Sequence, residues 1–152
     1  MKEFYSQICT SVEQSRRLLE LGLNPETADM YITNMSKKGI NYTDDYQIGS
    51  ISFERVMSFW KEKGLRLENT AWEIIPSWSL NRLIELLPQN IHLDDYEDTR
   101  YWLTIDPMKV IYENSHRLWI YQCDEGRLYD KLINTIEWTI KSNHFNKEYL
   151  KP

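Results

Sequence analysis

The sequence predicts an α+β fold, an antiparallel meander packed with four or five helices. Three observations carry this. Apolar residues repeat at helical spacing on both sides of residue 99. The period switches to two from about Thr99, and Asp106-Pro107 and Asn114-Ser115 punctuate that stretch as turns.

The elements follow in order. Ser11-x-x-Gln14 and Thr10-x-x-Glu13 both fit a capping box, so a helix is expected over about 11–21, stopped at Gly22. Asn24-Pro25-Glu26 starts a short helical segment over about 25–30, with Asn as cap and Pro in the first turn. Ala28 to Ile32 then passes into an extended segment. Residues 33–51 are rich in Asn, Gly, Thr and Asp and read as a long connection or a weak hairpin.

Ser52 caps a helix over 53–63, with Phe53, Val56, Met57 and Trp60 at helical spacing and Gly64 as its stop. Pro76 biases Ile75 to extended geometry. Ser77 or Ser79 caps the next helix, 79–87, whose Leu80, Leu83, Ile84 and Leu87 fall at i, i+3, i+4, i+7 before Pro88. Strands are expected over 99–105, 108–114 and 117–122. A last helix over 127–143 carries the apolar stripe Tyr129, Leu132, Ile133, Ile136 and Ile140.

A chain of 152 residues has the length of one domain, and residues 1–152 are read as such. It can bury roughly two-thirds of its unfolded surface, so folding needs neither metal nor disulfide. Charged residues make up 27% and the net charge is −5, which excludes a strongly charged, apolar-poor disordered chain. A pI near 5.2 argues against binding nucleic acid through phosphates. The opening residues hold no apolar run of a secretory signal, and nowhere do ~18 apolar residues follow one another. Cys9 and Cys123 are read as reduced thiols. A cytoplasmic protein without membrane attachment is expected.

The segment IPSWSLNRLIELLP (Ile75–Pro88), followed by the tyrosine-rich meander and the final helix, resembles a family of uncharacterised proteins from gut Bacteroides phages and mobile elements. The opening SVEQSRRLLELGLNPETADMYI (Ser11–Ile32) resembles the start of the same proteins. The resemblance implies an α+β domain in a cytoplasmic, mobile-element setting. It implies no activity, and residues 33–70 share little of it.

No motif spells out chemistry. His92, His116 and His144 are scattered, with no paired spacing for a metal, so no metal and no cofactor are expected. His116 and Cys123 lie more than about 20 Å apart on an extended strand, too far for a nucleophile and its base. Asp94, Asp95, Glu97 and Asp98 lack the glycine and spacing of a calcium loop and read as solvated. The five glycines form no phosphate loop.

The aromatic pattern is the one informative feature. Alternation puts Tyr101, Leu103, Ile105, Val110, Tyr112, Leu118 and Ile120 on one face. The other receives Trp102, Thr104, Lys109, Ile111, Glu113, Arg117, Trp119 and Tyr121. If the last helix covers the first face, Trp102, Arg117, Trp119 and Tyr121 form a candidate interaction face of the mixed aromatic kind found at protein interfaces. The competing reading makes these tryptophans core, and the number of helices to be placed on a sheet weighs towards it. The expected function is accordingly non-enzymatic, a small adaptor or modulator that binds a protein partner or a second copy of itself. The alternative is an enzyme or small-ligand binder whose groups, such as Tyr101, Asp106 and His116, converge only in three dimensions.

Overall fold

The computed structural model describes residues 7–34, 46–64, 73–94 and 99–152. Among the described residues, four α-helices and two antiparallel sheets confirm the α+β class. The chain divides into two compact units, residues 1–82 with Lys151 and residues 83–150 with Pro152.

The first unit begins with α1 (Val12–Glu20). Ser11 is its cap: its hydroxyl accepts from Gln14 N–H, and the Gln14 side chain accepts from Ser11 N–H. Thr10, the other candidate, is buried and hydrogen-bonds Ser15 and Ser77 instead. The expected helix over 25–30 shortens to a 3-10 turn at Pro25–Thr27. It ends because Ala28 is already extended, with ψ 128°, on the way into β1 (Met30–Asn34).

β1 pairs antiparallel with β2 (Tyr46–Gly49) on one side and with β3 (Glu73–Ser77) on the other, in the order β2-β1-β3. The sequence reading has one meander and leaves 33–51 as a long connection or a weak hairpin. β2 lies in that stretch and pairs antiparallel with β1, and the three-stranded sheet with β3 goes beyond that reading. The extended segment expected from Ala28 is its central strand, and Pro76 sits on an edge strand, where a missing N–H is tolerated. α2 (Phe53–Glu62) is capped by Ser52 as expected.

Trp78 follows β3 and is fully buried; its Nε1–H donates to Thr27 Oγ1 at 3.0 Å. Of the two candidate caps for α3 (Leu80–Leu86), Ser79 does the capping, its hydroxyl accepting from Arg82 N–H and donating to Asp29. Ser77 is buried in β3 and donates to the Thr10 carbonyl. Of the expected apolar set Leu83 and Leu87 are buried, whereas Leu80 and Ile84 are half-buried; Leu86, outside that set, is buried as well.

The second unit holds β4 (Asn90–Leu93), β5 (Thr99–Ile105), β6 (Val110–Glu113) and β7 (Trp119–Cys123), in that order across one antiparallel sheet. The expected meander is β5-β6-β7; β4, four residues long, adds an edge that the sequence pattern did not single out. The third strand starts two residues later than expected. Asn114 Oδ1 accepts from the N–H groups of His116 and Leu118, and Arg117 takes φ 62°, so the turn runs through Leu118. α4 (Leu128–Lys141) buries Tyr129, Leu132, Ile133 and Ile136, four of the five expected stripe residues, with Ile140 half-buried. It packs on the sheet face that carries Tyr112 and Tyr121.

Candidate interaction face

Alternation along β5 holds throughout: Arg100, Trp102 and Thr104 are exposed, and Tyr101, Leu103 and Ile105 are half-buried. Pairing then decides what meets across the strands. Trp102 is opposite Glu113, and Glu113 is opposite Trp119, so the three form one row over β5, β6 and β7. Trp102 is 51% exposed and Trp119 61% exposed, which removes both from the core. Glu113 between them is half-buried.

One member of the expected face is elsewhere. Strict alternation would place Tyr121 beside Trp119, but the register shifts between Tyr112 and Glu113. Tyr112 pairs with Tyr121 and Glu113 with Trp119, so a bulge at Ile120 turns Tyr121 to the opposite side. There its ring stacks on Trp138 and its hydroxyl accepts from Thr135. Burial pushes its phenol up to about 12. Tyr112 shares that side, donates to the Pro88 carbonyl at 2.7 Å, and is pushed further in the same direction by burial and by Tyr121. Leu118, expected on the inward face, precedes β7 at the end of the turn and is exposed. Arg117 lies in that turn rather than on a strand, exposed next to the start of the row.

The residues of the alternative reading do not converge. Tyr101 is on the α4 side of β5. Asp106 sits in the β5–β6 turn, where its carboxylate accepts from Met108 and Lys109 N–H and is held below its ordinary range by those bonds. His116 is in the turn at the other end of β6. About five residues of strand, roughly 16 Å, separate the two turns. Asp106 is a turn-former here.

Cys9 and Cys123 are both free and buried. Burial pushes the Cys9 thiol up, away from the reactive thiolate. Among the described residues no group of three or more His, Cys, Asp or Glu could hold a metal ion. His92 pairs with Asp94 at 3.6 Å, whereas Asp95, Glu97 and Asp98 of the acidic cluster lie outside the described residues. In the first unit a groove of about 450 Å³ is lined by Tyr31, Ile51, Arg55, Val56, Phe59 and Trp60. It brings no acid and base together.

Compared with protein-family models, curated proteins and solved structures, the chain finds no match. No helix among the described residues is long and apolar enough to cross a membrane.

The two tryptophans were visible in the sequence as members of one face. The place of Glu113 between them was not singled out. Alternation alone puts it on that face, but only the register of two strand pairs makes it their common neighbour.

Proposed function

We propose that the protein is non-enzymatic and works by binding another protein through the outer face of its four-stranded sheet. The observation that carries this reading is the row Trp102–Glu113–Trp119, two indoles more than half exposed on rigid strands. Leaving two such rings in water forgoes much of the burial they could contribute to folding. On a protein partner the same rings supply large contact area at little conformational cost, which is why tryptophan is enriched where binding energy concentrates.

The setting we propose is cytoplasmic, as an adaptor or modulator of a phage or mobile element. The free, buried thiols and the two resembling segments support it. Comparing parent and Trp119→Ala proteins tests the reading, by sedimentation for self-association and by affinity capture from the native cells for a different partner. Loss of a specific partner from the variant, with an unchanged melt, is the expected result. Equal capture by both proteins overturns it.

A further inference from the structure

We propose that the Trp102–Glu113–Trp119 row is a slot for a single basic side chain, an arginine on the partner protein. This rests on the reading of the face as an interface and names the chemistry that the face selects.

The row has the composition of a cation site. Each indole presents a negative π-face that attracts a cation, and tryptophan does so best among the aromatics. Glu113 places a carboxylate between them on the same side of the sheet. That carboxylate makes no ion pair or side-chain hydrogen bond among the described residues. The nearest described cations leave it alone: Arg100 stands two residues from Trp102 on the same face and Arg117 in the adjoining turn, yet neither bridges to it. A half-buried acid without a counter-ion, flanked by two exposed π-surfaces, is complementary to positive charge.

The spacing selects among cations. Two strand intervals separate Trp102 from Trp119, about 10 Å between backbones. A flat guanidinium touching a ring on each side needs about 7–8 Å, so each indole has to lean inward by about 1 Å. Arginine is planar, stacks on aromatic faces and can bind a carboxylate through two N–H groups, whereas a lysine ammonium is compact and strongly hydrated. Arg100 and Arg117 beside the row disfavour a run of positive charges, so the slot takes one basic residue in an otherwise uncharged or acidic segment.

The test uses the whole protein with 15N-labelled indoles and a capped Gly-Gly-Arg-Gly-Gly peptide, set against the same peptide with citrulline, the neutral isostere. The arginine peptide should shift the Nε1–H resonances of Trp102 and Trp119 with a saturating, millimolar-range curve, and the citrulline peptide should not. Glu113→Gln, which keeps the shape of the side chain, should weaken this binding about tenfold. Trp102→Ala should weaken it too, although it leaves the charge unchanged. Equal shifts from both peptides, or arginine binding that survives Trp102→Ala undiminished, overturn the slot; the second result marks general attraction to an acidic protein. The partner assay separates this from the underlying reading. A partner lost on Trp119→Ala but retained in full on Glu113→Gln leaves the interface standing and removes the slot. A partner indifferent to both removes both.

Discussion

Tyr121 of β7 lies stacked on Trp138 of α4, ring centroids 4.5 Å apart and planes inclined by 23°. Tyr112 of β6 joins the same indole at 5.8 Å, and His144 beyond the end of α4 approaches it at the same distance. Trp138 is thus the common partner of two neighbouring strands, and it holds Tyr121 on the α4 side of the sheet. Offset and tilted aromatic pairs of this kind contribute about 0.5–1.5 kcal/mol each beyond the area they bury. They stabilise the register in which Trp119 points the other way.

Burial of the Tyr121 phenol should make stability fall in alkali. Burial raises the Tyr121 phenol to about 12 in the fold, against an unfolded value near 10. Its contribution is fully present below about pH 10. Above that the unfolded chain loses the proton while the fold retains it, so stability declines as pH rises towards about 12. The melting temperature should drop over this window, and Tyr121→Phe should remove part of the slope. Parallel curves for the two proteins would show that the phenol ionises as freely in the fold as outside it.

Leu83→Ala should cost about 2–5 kcal/mol, the price of a cavity at a core leucine. Leu83 is 0% exposed. Denaturant unfolding of parent and variant measures the difference, and a loss within experimental error would make α3 peripheral.

Gly49→Ala should destabilise the first sheet by about 1–3 kcal/mol, as overpacking does. Gly49 is paired with Tyr31, whose ring occupies the space that a Cβ there would take. The phenol would have to leave its place over the glycine. A variant as stable as the parent, by thermal melt, would show that the ring moves aside at no cost.

Trp119→Ala should change folding stability by no more than about 0.5 kcal/mol, because an exposed side chain leaves no cavity. A loss of about 3–5 kcal/mol, the mark of a buried tryptophan, would return the residue to the core and withdraw it from any binding role.

Chelation by EDTA should leave the thermal melt unchanged, since among the described residues no three metal-binding side chains come together. A fall in midpoint that added zinc reverses would reveal a site.

Some of this architecture is local and was legible in the sequence. The Ser11–Gln14 capping box, the Ser52 cap, the apolar i, i+3, i+4 spacing of Leu80, Leu83 and Ile84 in α3, the alternation of β5 and the stripe of α4 act over a few residues each. Their physics is contained in those residues: a hydroxyl meeting a free N–H, or apolar side chains falling on one side of a helix or strand. Trp102 could be assigned to a face for the same reason.

The tertiary structure decided the rest. Which of Ser77 and Ser79 caps α3 depends on Thr10, 67 residues away, drawing Ser77 into a buried cluster, and on Asp29 holding Ser79. The strands β2 and β4 are defined by their neighbours, since neither Tyr46–Gly49 nor Asn90–Leu93 carries the alternation bounded by tight turns that announced the meander. The candidate face turns on one residue of register: the bulge at Ile120 separates Tyr121 from Trp119 and sets Glu113 between two tryptophans. No local pattern encodes that shift. It is set by pairing with β6 and by Trp138 packing against Tyr121, contacts between separate elements rather than within one.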